Sequence, residues 1–332
     1  KYLVLIYLLV LLVLTVLSSL VLMLFVPIAL GQPLPNPFLQ SIFSREQLPL
    51  FAGVGAFIIG GALISSYIKS RHLSKGGGVI AASLGGVKIS PNTSDLNERK
   101  VLNVVEEMAI ASGMPVPEVY LLKNESGINA FAAGQTPMDA VIGVTQGCID
   151  KLTRAQLQGV IGHEFSHILN GDMRLNLRII MLLHGIEFIG LLGRILTSSQ
   201  RNRRYSSSRS RNKGNGAVVL TGIALRLIGW FGILFGNLIQ AAVSRQREFL
   251  ADASSVQFTR DPTTIADALK VIGGSANSSR LSNTDVNEVA HMFFGQSFVT
   301  RFSMLFATHP PIETRIRTLE PGWDGAFLEP LV

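Results

Sequence analysis

Residues 153–172 read TRAQLQGVIGHEFSHILNGD, and the rest of the chain is best understood from this stretch outward. Thr153 followed by Gln156 has the form of a capping box, so a helix is predicted from Arg154 through Asn170, stopping at Gly171. On it, His163 and His167 share one face, about 6 Å apart along the axis. Two imidazoles so placed can bind one metal ion. Glu164 points about 100° around the helix from His163, toward the open side of such a site. A carboxylate there can take a proton from metal-activated water. The bland alternative is a pair of core histidines on a buried helix.

A catalytic zinc takes three protein ligands and keeps one position open. Residues 244–252 read SRQREFLAD, within a predicted helix over Arg245–Thr259. Glu248 can be the third ligand. Asp252, one turn later on the same face, can accept a hydrogen bond from a ligating imidazole and fix its tautomer. Without the histidines, both would read as a solvated acidic face.

Composition sets the surroundings of this chemistry. The chain has 332 residues, 48% hydrophobic and only 15% charged, against about 25% charged in a soluble domain. Mean hydropathy is +0.38. Disorder, a coiled coil and a collagen-like repeat are excluded. One cysteine, Cys148, excludes an internal disulfide framework and a cysteine-rich zinc site; it reads as a small buried filler. The net charge of +7 fits cytoplasmic loops and anionic headgroups. No nucleic-acid-binding signature accompanies it.

The apolar residues are gathered into runs. Tyr2 to Leu30 carries no charge, and Gln47 to Ile68 carries none; about 20 apolar residues span a bilayer as helix. The first is too long for a cleaved leader and reads as an anchor, with Lys1 pointing to a trimmed N-terminus. The connector holds Pro33, Pro35 and Pro37 and cannot be regular helix. Gly60-Gly61-Ala62 permits close helix contact. Leu177 to Leu196 is a weaker run, interrupted by Arg178, His184, Glu187 and Arg194; Gly214 to Ser244 is stronger, with only Arg226 inside. Between them residues 200–213, QRNRRYSSSRSRNK, carry six basic residues and no acid, and read as a solvated loop. Lys69, Arg71 and Lys75 follow the second run while only Arg45 lies in the first connector, so the positive-inside rule places everything after residue 69 in the cytoplasm. If both later runs span, the basic loop lies outside, against the same rule. Either the later pair does not fully span, or function overrides the charge bias.

The polar remainder reads as a small α+β unit interrupted by apolar segments. Gly76-Gly77-Gly78 is a linker signal. Asp95 to Ser112 has helical apolar spacing and Gly113 as its stop. Pro117 to Leu122, Ala130 to Ala133 and Ala140 to Thr145 read as strands. Thr263 to Ile272 reads as a helix, and Pro310-Pro311 opens a last one through about Leu319. His184 and Glu187, at i and i+3 in an apolar run, are candidates for a role near a substrate path. Met292, Phe293, Phe294 and Phe298 read as core.

Four segments together resemble the HtpX-like membrane metalloproteases: GHEFSHILNGD at 162–172, NAFAAG at 129–134, SRQREFLAD at 244–252 and THPPIETRI at 308–316. Their order matches the family, as do two apolar spans before the domain and two between His167 and Glu248. The resemblance covers essentially the whole chain; the arginine–serine segment 200–213 departs from it. It implies an α+β, zincin-like metallopeptidase domain integrated in a membrane, with a catalytic HExxH helix, a small sheet with an edge strand, and two to four transmembrane helices. The implied organisation is a transmembrane hairpin in 1–75 (spans about 2–30 and 47–68), a first part of the peptidase in 76–176, an apolar hairpin in 177–244, and a second part in 245–332.

The resemblance further implies one Zn2+ per chain on His163, His167 and Glu248, with Glu164 as general base and then acid. Asp252 supports a ligand. Ala140 to Thr145, with Ala140, Val141, Ile142 and Gly143, would be the edge strand along which an extended substrate pairs. Asn129 would orient the substrate or the site. His309 would reach the metal or stabilise the oxyanion, with Arg315 in support; a helix-entry role is the alternative for His309. The implied function is a zinc endopeptidase of the bacterial inner membrane, facing the cytoplasm and acting on misfolded membrane proteins, with the lipid bilayer as its surroundings. The oligomeric state is left open. The alternatives are a CAAX-type prenyl-protein protease, whose family uses seven spans where this chain has at most four, and a catalytically silent membrane scaffold. Intact Glu164 speaks against the scaffold.

Overall fold

The computed structural model describes residues 2–30, 32, 45, 48–73, 76–203, 213–275 and 309–331. In chain order its helices are α1 (Tyr2–Ala29), α2 (Leu48–Leu73), α3 (Gly77–Ser83), α4 (Leu96–Ser112), α5 (Gln146–Lys151), α6 (Arg154–Leu169), α7 (Asp172–Arg203), α8 (Lys213–Thr259), α9 (Pro262–Gly274) and α10 (Ile312–Leu319). Its strands are β1 (Val87–Lys88), β2 (Glu118–Leu122), β3 (Ala130–Ala133) and β4 (Val141–Thr145). Contacts divide the chain into two units: Lys1–Ser70 with Ile180–Asn237, and Arg71–Ile179 with Leu238–Val332. The proline connector, most of the basic segment, and Met292, Phe293, Phe294 and Phe298 lie outside the described residues.

The first unit is built from apolar helix. Among the described residues four stretches are long and apolar enough to cross a membrane: Leu5–Ala29, Phe51–Arg71, Asp172–Ser198 and Gly216–Thr259. Both later runs therefore meet the requirement, including the one interrupted by charge. No more than 33% of any of these windows is buried within the protein, so most of their apolar surface needs lipid to cover it. Leu5, Leu9 and Leu12 on α1 and Ile64 and Ile68 on α2 are exposed in this way. The seam between helices holds Leu11, Leu14, Ile58, Ala62, Ile186, Ile189 and Leu225. Small residues set the spacing: a Cβ on Gly229 of α8 would lie 2.6 Å from the Gly190 nitrogen of α7. Thr15, Ser18 and Ser19 direct their hydroxyls to carbonyls four residues back, which satisfies them without water.

The second unit layers helices on both faces of a four-stranded sheet ordered β1-β2-β4-β3. β2 and β4 are parallel, and the other pairs antiparallel. Val119, Leu121, Ala130, Ala132, Ile142 and Val144 face one core with α4, α6 and α9. The alternate positions Phe131 and Gly143 share the other face: a Cβ on Gly143 would lie 2.1 Å from the Phe131 ring. With both faces covered, β3 and β4 are buried at every position, which is why their sequences show no apolar–polar alternation.

Two expectations need correction here. Ala140 to Thr145 is not an edge: β4 is paired on both sides, and the edge next to it is β3. Gly76 to Gly78 is not a free linker, because α3 begins at Gly77, where a Cβ would lie 2.3 Å from the Ala133 carbonyl oxygen. The glycine is there for close backbone approach.

The helix that carries the histidines is fixed from several directions. Thr153 and Gln156 form the expected capping box at its start. A Cβ on Gly159 would lie 2.6 Å from the Ile265 nitrogen of α9, and the Gly159 carbonyl accepts a 2.6 Å hydrogen bond from Ser255 Oγ of α8. Asn170 caps the C-terminus and Gly171, at φ +70°, turns the chain into α7.

Candidate metal centre

Helix spacing and burial bring three sequence-distant segments to one point. His163 and Glu164 are buried in α6, Glu248 and Asp252 in α8, and His309 and Arg315 at and within the entry to α10. The ligating atoms of His163, His167 and Glu248 lie within 4.8 Å of one another. In detail, the two Nε2 atoms are 3.1 Å apart. Glu248 Oε2 is 3.5 Å from His163 Nε2, and Oε1 is 3.5 Å from His167 Nε2. A tetrahedral zinc at its usual bond lengths separates its ligand atoms by about 3.4 Å. The donor set therefore fits that ion.

Charge gives a second test of fit. Glu164, Asp172, Glu248 and Asp252 are all at most 3% exposed. Among the described residues two guanidiniums face them, Arg247 on Asp172 and Arg315 on Asp252 and Glu248. More carboxylates than guanidiniums meet there, an acidic setting that suits a divalent cation. Among the described residues, Oε2 of Glu164 is buried without a hydrogen-bond partner, a costly state in the absence of a bound group.

Each histidine is held from behind. His163 Nδ1 is 2.9 Å from Asp252 Oδ1. Arg315 donates to both oxygens of that carboxylate, at 2.8 and 2.6 Å; it is 1% exposed, and its remaining terminal nitrogen lies 3.4 Å from Glu248 Oε2. The Asp252 charge raises the Arg315 pKa further against the burial that lowers it. His167 Nδ1 is 2.9 Å from Asp172 Oδ2, and the other Asp172 oxygen pairs with Arg247. With Nδ1 donating, each ring presents the lone pair of Nε2 to the ligand cluster. Asp172 and Arg247 stand inside the motifs already quoted, yet no role was read for them.

Burial pushes the Glu164 carboxyl above the usual carboxylate range, against the pull of His167 and His163. His309 Nδ1 approaches Glu248 Oε2 to 2.6 Å, and among the described residues neither ring nitrogen has a hydrogen-bond partner. An open cleft reaches this cluster, lined among others by Ala132, Glu164, His167, Glu248 and His309. Ala132 of β3 lies at the cleft, while Asn129, Ala140, Val141, Ile142, Gly143 and Arg315 do not line it. Asn129 instead accepts the Ala130 N–H through Oδ1, at 3.1 Å. Cys148 is fully buried, and burial pushes its thiol up to about 12, an inert filler. His184 and Glu187 pair with each other at 3.1 Å in the other unit.

Residues 95–321 match the model of peptidase family M48. Curated relatives are protease HtpX homologs. That of Bacteroides fragilis is 33% identical over 276 residues, covering 82% of this chain and 81% of its own. That of Thermoanaerobacter pseudethanolicus is 39% identical over 243 residues, 73% and 77% of the two chains. That of Caldanaerobacter subterraneus subsp. tengcongensis is 41% identical over 219 residues, 66% and 70%. Among solved structures, S. mikatae Ste24p overlaps 90% of this chain and 61% of its own at 17% identity and a TM-score of 0.44, a likeness too loose to compare the two sites.

The clasp on Asp252 gives a stability prediction. Replacing Arg315 by Ala strands a buried carboxylate and should cost about 3–5 kcal/mol. Arg315→Ala with Asp252→Ala should cost less than the two single changes summed, as read by thermal unfolding of the detergent-purified chain. An Arg315→Ala protein as stable as the wild type would refute the clasp.

Proposed function

The chain belongs to peptidase family M48, in its HtpX-like group, and on that footing we propose that it is a zinc endopeptidase that removes misfolded or damaged membrane proteins. A membrane metalloprotease is what the family and the four apolar helices make it. The finer reading rests above all on the convergence of His163, His167 and Glu248 beside a buried, unpartnered Glu164 oxygen. A bound zinc would supply Lewis acidity, polarising the scissile carbonyl and acidifying the attacking water.

The residues of the chain do the rest. His163, His167 and Glu248 hold the ion. Glu164 Oε2 takes the proton from the attacking water and passes it to the leaving amine nitrogen. His309, which lines the cleft with Nδ1 toward Glu248, donates through its other ring nitrogen to the carbonyl oxygen as negative charge builds on it. The substrate lies extended along β3. Thr145 N–H donates to the Asn129 carbonyl, and antiparallel alternation from that pair turns the N–H and C=O of Ala132 away from β4, to the side that is the sheet edge among the described residues. Backbone pairing there is indifferent to side chains, which suits a protease whose substrates share only their unfolded state.

Three measurements test this. Purified chain in detergent with zinc should cut an unfolded protein and spare the same protein folded. Glu164→Gln should lose about 10²–10⁴-fold in turnover at equal zinc content; undiminished cleavage by that variant would overturn the assignment. Ala132→Pro, which a free edge tolerates, should raise KM far more than it lowers kcat, and an unchanged KM would remove β3 as the substrate strand. For location we propose the inner membrane with the peptidase facing the cytoplasm, from Lys69, Arg71 and Lys75 after the second span. A cysteine at the exposed Met138, in a chain whose own Cys148 is buried, should react with an impermeant maleimide in inverted vesicles. Reaction in intact spheroplasts would reverse the orientation.

A further inference from the structure

The two histidines are held by the same device twice, in different surroundings. Behind His163 stand Asp252 and Arg315, all at most 1–3% exposed. Behind His167 stand Asp172 and Arg247, with side-chain exposures of 4% and 36%. Asp172 is the residue after the left-handed Gly171 and the first of α7. In an unbroken helix the fifth residue after His167 would lie about 140° around the axis from it. The turn at Gly171 brings it back, so that Oδ2 meets His167 Nδ1 at 2.9 Å while Oδ1 meets Arg247. One oxygen is thus paired with the ring and the other with the guanidinium.

We propose that Asp172, steadied by Arg247, is a positioning residue for metal binding at His167. It keeps the proton on Nδ1 and the Nε2 lone pair aimed at the ligand cluster. This rests on the metal reading of the site above. A carboxylate opening a helix also has a purely local role, since it favours the helix dipole. That role would stabilise α7 without altering affinity for a metal. The two roles therefore separate on metal binding rather than on stability.

The test uses the full chain in detergent, stripped of metal by a chelator. Zinc affinity is then titrated against a chromophoric competitor. Asp172→Ala should bind zinc about 10–100-fold more weakly than the wild type. Asp172→Asn keeps an acceptor oxygen in place and should recover part of the loss. Arg247→Ala, which frees the carboxylate without removing it, should also fall between Asp172→Ala and the wild type. Loaded with cobalt, Asp172→Ala should show a displaced visible spectrum, because the ring is no longer oriented. Wild-type affinity in a folded Asp172→Ala protein overturns the proposal. If that variant does not fold, wild-type affinity in both Asp172→Asn and Arg247→Ala overturns it. A wild-type chain that binds no zinc overturns the metal reading itself, and this proposal with it.

Discussion

Burying like charge is the constraint around which the polar unit is organised. Four carboxylates, from Glu164, Asp172, Glu248 and Asp252, are withdrawn from water into one cluster. Left to themselves they would repel one another and draw protons or solvent inward. Two arginines offset part of that charge, and they arrive on segments far apart in sequence, α8 and α10. A site of this kind cannot be assembled piecemeal: removing either guanidinium leaves a buried carboxylate with only an imidazole to face. The acidity of the cluster is also what makes a divalent cation a natural completion of it.

The fold supplies rigidity where this charge must be held. α6 is closed in by α9 at Gly159, by α8 through Ser255 and by the sheet beneath it. Its histidines therefore inherit a backbone that does not give. The sheet contributes differently. Its interior strands are covered on both faces, and β3 brings Ala132 to the cleft. In the apolar unit the hydroxyls of Thr15, Ser18 and Ser19 are spent on their own helix.

What the sequence made legible follows the range of the interactions involved. The capping box, the two histidines and Glu164 lie within one helix, where spacing dictates direction, and the structure has the capping box and both histidines on that helix as expected. Glu248 and Asp252 also belong to one helical face, so their partnership was readable once a metal site was suspected. Spatial strand order is a different matter. β3 and β4 follow one another along the chain, and nothing local reveals that β4 also pairs in parallel with β2, leaving β3 outside. Gly77 was read as slack because a glycine needed for close approach and one needed for freedom look alike. Asp172 escaped notice because helical spacing points it away from His167, and only the left-handed turn at Gly171 reverses that.

Helix α8 runs unbroken from Lys213 to Thr259, which includes both the apolar span and Glu248. An unbroken helix keeps count. One residue added between Glu248 and Ser255 would turn one against the other by about 100° and shift it about 1.5 Å, so that Glu248 could not face the histidines while Ser255 keeps its hydrogen bond to the Gly159 carbonyl. A whole added turn would restore the phase but not the height. The stretch from Glu248 to Ser255 thus acts as a ruler, its length set by the need to meet α6 at two places. Substitution on its outer face, as at the exposed Leu250, is chemically cheap; insertion and deletion are not.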